Sequence, residues 1–118
     1  MKFKVPMIML FTILATGCAT KKSSMYNYGD YSESFYAMKK ETNADTSMEW
    51  KSTLEEIIAD SKSDKLRVPP GVFANLGYIY LQANNTEKAV FFFKEEKTAY
   101  PESGRFMDNL IKKVEVQG

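Results

Sequence analysis

The sequence predicts an all-α fold, a stack of about five helices, and three observations support this prediction. Apolar residues after position 30 recur at every third or fourth residue, which is the period of an amphipathic helix. No stretch of the chain shows sustained alternation of apolar and polar residues, the pattern of a half-buried strand. Proline, glycine and asparagine interrupt the helical pattern, so the helices are predicted to be short and joined by tight turns.

Residues 1–17 predict an export signal that is removed from the mature protein. Lys2 and Lys4 precede the apolar run 5–15, which has the length of a signal peptide and is too short to span a bilayer. Small residues then lead to Cys18, the only cysteine of the chain. Cleavage is therefore predicted between Gly17 and Cys18.

The residues before Cys18 resemble the lipobox of bacterial lipoproteins, in which the cysteine thiol receives a diacylglycerol before the signal is cut. Ala15 stands where that motif usually has leucine. The resemblance implies an anchor of about two or three acyl chains on Cys18, because one chain alone binds a membrane only marginally. Ala19 after the cysteine is similar to the outer-membrane sorting pattern. The alternative is an ordinary signal peptide followed by a buried cysteine.

Composition argues against several classes of function. Two of the 16 basic residues lie in the signal, so the chain from Cys18 onward has 14 basic and 15 acidic residues, a net charge of −1. This balance provides no basic surface for nucleic acid. The chain has no histidine, the commonest general base and metal ligand. The glutamate pairs at 55–56 and 95–96 are predicted to lie on solvated helix faces. We expect no enzymatic activity, no cofactor and no metal site.

The first hairpin of the domain is predicted from residues 30–41 and 47–62, with 42–46 as the loop between its helices. Residues 18–29 before it are small and polar and then aromatic, which predicts a lipidated tether. The helical domain therefore spans 30–118. An apolar stripe on the first helix, formed by Tyr31, Phe35 and Met38, is expected to face the second helix, whose stripe includes Met48, Trp50, Leu54, Ile57 and Ile58.

The second hairpin is predicted from residues 70–103. Two prolines and Gly71 precede its first helix, since proline suits a first helical turn and is excluded from a helix interior. Asn84 and Asn85 offer a turn and a helix cap. Small residues on the two helices permit a close approach, and bulky residues are expected to fill the space around it. The core residues that we expect are Phe73, Leu76, Gly77, Tyr80, Ala89, Phe93 and Pro101.

The spacing of these seven residues resembles one tetratricopeptide repeat, a helical hairpin unit whose signature residues stand at fixed offsets. The resemblance implies a stack of such hairpins and a final helix that covers the apolar face of the last one. Residues 104–116 are predicted to be this capping helix, with Met107, Leu110, Ile111 and Val114 facing inward. Glu96 departs from the pattern, because a small alanine usually stands at that position.

A cluster of aromatic residues around a glycine follows the cysteine, in MYNYGDYSESFYAMKKE at residues 25–41. This cluster is similar to that of a family of small Gram-negative outer-membrane lipoproteins of unknown function. Members of this family are often encoded beside lipoproteins related to the curli secretion channel. The resemblance implies an outer-membrane lipoprotein that works in an envelope complex, with a channel-like lipoprotein as one candidate partner.

We therefore expect a lipid-anchored, non-catalytic adaptor or accessory subunit on the periplasmic face of the outer membrane. It would bind a protein partner through the surface of its first repeat helices. Two alternatives are an accessory lipoprotein of the cell wall and a lipoprotein that binds a small ligand. The N-terminal tyrosines could also pack over the first hairpin or fill the groove themselves. The partner-binding residues that we expect are Tyr26, Tyr28, Tyr31, Tyr78, Leu81 and Gln82.

Overall fold

A computed structural model describes residues 24–117 and shows an all-α fold, as the sequence predicts. Its helices are α1 (Tyr31–Lys40), α2 (Ala44–Ser63), α3 (Val72–Gln82), α4 (Thr86–Ala99) and α5 (Gly104–Gln117). Each helix packs against the one that follows it in the chain. The residues described contain no strand. The predicted signal peptide 1–17 and the predicted lipidation site Cys18 lie outside them.

The first hairpin, α1 and α2, is built on a capping box at the start of α2. The side chain of Asn43 accepts a hydrogen bond from the backbone N–H of Thr46 at 2.9 Å, and the Thr46 hydroxyl accepts one from the N–H of Asn43 at 3.1 Å. This cap starts α2 at Ala44, so the predicted loop 42–46 was too long. Met48 is 70% exposed and does not belong to the core, because residues two positions apart do not share a helix face and Trp50 points inward.

The hairpin buries one polar pair between its helices. The hydroxyl groups of Ser34 on α1 and Thr53 on α2 are 2.7 Å apart and buried. Each hydroxyl is therefore the hydrogen-bond partner of the other, and no unpaired polar group is left in the interior at this point. Around this pair the apolar core of the hairpin is formed by Trp50, Leu54 and Ile57, with Tyr31, Phe35 and Met38 packed against it from α1.

The second hairpin, α3 and α4, turns at Asn84 and is closely packed. Asn84 has φ +58°, the left-handed conformation that asparagine tolerates, and Asn85 caps α4 by accepting from the N–H of Lys88 at 3.1 Å. A Cβ atom on Gly77 would lie 2.8 Å from the ring of Phe93 and 3.1 Å from the carbonyl oxygen of Ala89. No larger residue fits at Gly77 without displacing α4.

Two of the residues expected in the repeat core, Phe73 and Pro101, lie outside the buried clusters. Phe73 is half-buried and stacks against Phe92, with ring centroids 6.3 Å apart. Tyr80, also half-buried, stacks on the same ring at 5.5 Å, and it contacts both core clusters. Pro101 is exposed and begins a single 3-10 turn after α4. The half-buried ring of Phe92 packs against the core and offers the aromatic surface on which both Phe73 and Tyr80 stack.

Two apolar clusters hold the stack together. The first joins α1 and α2 to α3, where Val72 and Leu76 complete it. The second joins α3 and α4 to α5, which covers the last apolar face and contributes Met107, Ile111 and Val114. Leu110 is only partly buried at its edge. The described helices thus form a continuous row in which α5 closes one end.

Glu96 is buried at 4% exposure, which contradicts the prediction that this glutamate lies on a solvated face. Its Oε1 accepts a hydrogen bond from the backbone N–H of Gly71 at 2.7 Å. Gly71 is the N-terminal cap of α3 and has φ +88° with no side chain of its own to offer. The carboxylate of α4 therefore caps α3, a role that an alanine at this position could not perform.

The segment 24–30 before α1 lies against the folded helices, so the aromatic end of the predicted tether 18–29 packs on the first hairpin, as the alternative for the N-terminal tyrosines expected. Tyr26 lies beside Tyr100, which follows α4. Asn27 approaches Asp64 at the end of α2, with 3.4 Å between Nδ2 and Oδ2. A Cβ at Gly29 would be 3.5 Å from Ile57. The aromatic residues of this segment give it enough apolar surface to pack.

Candidate functional site

A cleft between the two hairpins is the candidate functional site. It has a volume of about 310 Å³, at the lower end of the range for binding pockets. Its walls are α1 and α3, the first helices of the two hairpins, and the start of α2 closes one side. The lining residues are Phe35, Met38, Lys39, Thr42, Ser47, Trp50, Asn75, Tyr78, Ile79 and Gln82.

Helical periodicity explains why these residues face one another. The lining residues of α1 and of the loop after it stand at i, i+3, i+4 and i+7, counted from Phe35. The lining residues of α3 repeat the same spacing from Asn75. Residues at these offsets form one continuous stripe along a helix. Two matching stripes therefore line the two walls of the cleft.

The floor of the cleft is formed by the Trp50 ring, which packs against two other aromatic rings. Trp50 is 4% exposed, and its ring lies 4.9 Å from that of Tyr31 and 5.5 Å from that of Phe35. These tilted and edge-to-face arrangements are favourable beyond the area that they bury. Asn75 closes the lower end, since its Nδ2 donates to the Tyr31 hydroxyl at 3.2 Å and to the Gly71 carbonyl oxygen at 2.9 Å.

The rim of the cleft is exposed and chemically varied. Tyr78 is 53% exposed, and its ring and hydroxyl form no aromatic or hydrogen-bonded contact with any residue from 24 to 117. Lys39 is the single charged residue of the lining, and its ammonium lies 5.6 Å from the centre of the Phe35 ring. Gln82 is exposed beside them. The site thus offers an aromatic ring, a cation and an amide to a ligand.

The structure brings together only some of the residues that the sequence predicts for partner binding. Tyr78 and Gln82 both line the cleft. Leu81 does not, because it packs against the second cluster on the side that α5 covers. Three positions make slightly less than one helical turn, so Leu81 stands just beyond the Tyr78 edge of the lining stripe. That offset turns it towards α5 rather than towards α1.

The three N-terminal tyrosines form an aromatic row outside the cleft. The rings of Tyr26 and Tyr28 are 5.9 Å apart, and those of Tyr28 and Tyr31 are 6.0 Å apart, each pair edge to face. Tyr31 continues the row to Trp50. None of the three lines the cleft, so in the described part of the chain the groove beside Tyr78 is not filled by the N-terminal segment.

A buried hydroxyl group joins the residue that follows α4 to the segment between α2 and α3. The Tyr100 hydroxyl donates to the carbonyl oxygen of Val68 at 2.6 Å. Burial raises the pKa of the Tyr100 hydroxyl, and burial likewise raises the pKa of Tyr31. Both hydroxyls therefore stay protonated at neutral pH. The guanidinium of Arg67 lies 4.4 Å above the Tyr100 ring and donates to the carbonyl oxygen of Ala99.

Several cleft residues were not singled out as a site from the sequence. Phe35, Met38 and Trp50 were assigned only to the interface between α1 and α2, and they serve both that interface and the cleft. Lys39 and Asn75 were not assigned at all. The matched i, i+3, i+4, i+7 spacing on two first helices was the available signal, although it indicates a shared face only once the packing is known.

The described residues offer neither a metal site nor a bilayer-spanning helix. No group of three carboxylate, cysteine or histidine side chains lies close enough to hold a metal ion between residues 24 and 117. Within the same range, none of the helices combines the length and the apolar character that crossing a membrane requires.

Comparison with known proteins identifies a family. The family model described as a domain of unknown function, DUF4810, matches residues 25–110, nearly three quarters of the chain. The match runs from the aromatic row through α4 and into the first half of α5. No curated protein and no solved structure gives a significant match.

Proposed function

This chain belongs to the DUF4810 family of domains of unknown function, and we propose that it is a lipid-anchored, non-catalytic adaptor of the bacterial envelope. In this proposal acyl chains on Cys18 hold it to the periplasmic face of the outer membrane. The helical domain, a tetratricopeptide-like stack, binds a protein partner of an envelope complex. A lipoprotein related to the curli secretion channel is one candidate for that partner.

The observation that supports partner binding is the open cleft between α1 and α3. It is lined by exposed and half-exposed apolar side chains that no other residue from 24 to 117 covers. Stacked helical hairpins commonly use the surface of their first helices to hold a partner. The aromatic residues at the cleft are also the kind that dominate binding energy at protein interfaces.

The position of the N-terminal segment supports an anchor at one end and binding at the other. Tyr26 and Asn27 lie beside the end of α2 and the residue after α4. The cleft is lined by the second half of α1, by α3 from Asn75 to Gln82 and by the first turns of α2. Since α1 rises about 15 Å over its length, an anchor before residue 24 would lie nearer to the start of α1 than to Lys39 and Thr42 at the far end of the cleft.

Photo-crosslinking in living cells tests this proposal. A photoreactive benzoylphenylalanine replaces Tyr78 in the tagged full-length chain, and the crosslinked proteins are purified and identified by mass spectrometry. The matched control places the same group at Tyr36, which is exposed on α1 but does not line the cleft. We expect one envelope protein to crosslink from position 78 and not from position 36.

Two other results would overturn the adaptor proposal. Identical crosslinking from positions 78 and 36, or none from either, would mean that the cleft is not a specific protein-binding surface. Capture of cell-wall material or of a cell-wall synthase from position 78 would instead favour an accessory role in the cell wall.

A further inference from the structure

We propose, building on the adaptor function above, that the α1–α3 cleft recognises a partner segment carrying an apolar or aromatic side chain next to a carboxylate. The side chain would enter between the two walls, and the carboxylate would pair with Lys39 at the rim. The partner is thus defined by its chemistry, as an acidic peptide segment with an apolar anchor.

The apolar half of this proposal rests on the composition of α3. No residue of α3, from 72 to 82, carries a charge, although the helix forms an exposed wall of the cleft. Tyr78 and Ile79 stand on that wall, and Phe35 and Met38 stand opposite on α1. An aromatic or aliphatic side chain placed between them would lose water-exposed surface on both sides.

The proposed carboxylate of the partner is inferred from the positive charge at the rim of the cleft. The single ion pair within 4 Å among residues 24–117 joins Lys97 to Asp108, so Lys39 has no carboxylate partner there. Glu41 and Asp45 are nearby in the chain, but neither lines the cleft. The C-terminal end of α1 contributes about half a negative charge, which reduces the positive charge of Lys39 without cancelling it.

A second apolar depression on the surface shows no preference for an acidic or a basic partner. It has a volume of about 410 Å³ between α2, α3 and α4, and Phe73, Phe91 and Phe92 contribute to its lining. Its charged lining residues are Lys62 and Glu95. Because these two carry opposite signs, the depression favours neither an acidic nor a basic partner.

Trp50 is the only tryptophan of the chain and lies at the floor of the cleft, so its fluorescence reports binding directly. The probe is a hexapeptide of sequence Glu-Phe-Glu-Leu-Phe-Glu with blocked ends, which has no tryptophan or tyrosine signal of its own. It is titrated into the full-length chain in non-ionic detergent at about 0.15 M salt. One comparison peptide has lysine in place of each glutamate, and another has alanine in place of each phenylalanine.

We expect saturable change of the Trp50 emission with the acidic aromatic peptide and at least about threefold weaker binding of both comparison peptides. Lys39→Glu should weaken binding of the acidic peptide by about three- to tenfold, the range of a partly exposed ion pair of roughly 1 kcal/mol. Lys40→Glu is the matched control, since it makes the same charge reversal at a side chain that does not line the cleft. Tyr78→Ala should weaken binding and Tyr36→Ala should not.

Three outcomes would overturn the inference. The lysine peptide could bind as tightly as the acidic one, Lys39→Glu and Lys40→Glu could have equal effects, or the emission could stay unchanged at millimolar acidic peptide. A chain that is dimeric by sedimentation and becomes monomeric with Tyr78→Ala would assign the cleft to a second copy instead. The adaptor proposal is tested separately, by crosslinking in cells, and it fails if positions 78 and 36 crosslink identically or not at all. Loss of the acidic preference alone would leave it standing.

Discussion

Glu96 places a carboxylate at the junction of the two hairpins, where the first turn of α3 would otherwise have backbone N–H groups without a protein partner. One oxygen accepts from Gly71, while Oε2 is buried and has no partner among residues 24–117. Burial raises the pKa of the Glu96 carboxyl, an effect that the hydrogen bond from the Gly71 N–H offsets only in part. The residue therefore combines a useful cap with a costly buried charge.

The raised pKa of Glu96 fixes the sign of its effect on stability. The folded state binds the proton more tightly than the unfolded state, so this contribution is fully present below the unfolded pKa of about 4.3. It is lost as the pH rises through the folded pKa. Glu96→Gln keeps an acceptor for Gly71 and does not titrate. We expect its melting temperature, relative to that of the wild type, to increase between pH 4 and pH 7, as measured by circular dichroism.

The matched control for this experiment is Glu95→Gln, which removes the same charge from a neighbouring, half-exposed side chain. Its melting temperature relative to the wild type should change less over the same pH interval. A Glu96→Gln variant that loses stability relative to the wild type as the pH rises would mean that the folded pKa is lowered, and the buried cap would need another explanation.

The sequence could show that Glu96 departs from the repeat pattern, but not what the residue does. Its role depends on the end of α4 lying beside the start of α3 and on a glycine standing at the cap of α3. Neither relation follows from local periodicity. Asn43, Asn84 and Asn85, by contrast, act on residues within four positions, and their turn and cap roles are readable from sequence alone.

At the scale of the helices, Gly77 sets how closely α3 approaches α4. The Cβ of Gly77→Ala would lie 2.8 Å from two atoms of the Phe93 ring and 3.1 Å from a backbone oxygen. Phe93 is fully buried and has little room to move. The gain in helix propensity from glycine to alanine is about 1 kcal/mol, and overpacking costs about 1–3 kcal/mol. We expect Gly77→Ala to lower stability in chemical unfolding, and Gly77→Leu to lower it further.

Gly104→Ala supplies the control for this substitution. Gly104 is also helical, but a Cβ there would meet only the side chain of Lys97, at 3.7 Å, which is ordinary contact. This variant should be as stable as the wild type or slightly more stable. Equal effects of the two alanine substitutions would show that helix propensity, and not the contact with Phe93, governs position 77.

The number and order of the helices were predictable because proline, glycine and asparagine mark their ends clearly. The choice of face was less predictable. Phe73 and Leu81 satisfy the helical period of α3, yet Phe73 stacks on Phe92 and Leu81 packs towards α5. Periodicity defines a stripe, but the neighbour that covers each edge of the stripe is decided by tertiary packing. For residues at the edges of a stripe, such as these two, the sequence therefore predicts the wrong packing partner.

For the whole molecule, the cleft could not be predicted as a site, since it forms only where two hairpins meet. Its lining comes from residues 35–50 and 75–82. These two stretches are far apart in the sequence, and most of α2 lies between them. The sequence did indicate Tyr78 and Gln82 through their position on the first helix of a repeat. Lys39 gave no such indication, because a lysine near a helix end is ordinarily a favourable partner of the helix dipole.

Attachment through Cys18 is the remaining prediction and concerns the molecule as a whole. Ser24 is the first described residue, and only a short stretch of chain separates it from Cys18. Because each residue of an extended chain adds at most about 3.6 Å, a lipidated cysteine would keep the domain close to the membrane surface. The wild type should incorporate an alkyne-labelled fatty acid and sediment with membranes. Cys18→Ser should incorporate no label and should be found either soluble or with its signal uncleaved.

A second variant tests whether lipidation requires the cysteine at position 18 or any cysteine nearby. Adding Ser23→Cys to Cys18→Ser should not restore labelling, since the thiol would no longer follow Gly17. Labelled Cys18→Ser protein, or equal labelling after the cysteine is moved, would contradict lipid anchoring at this position and with it the membrane-proximal placement of the domain.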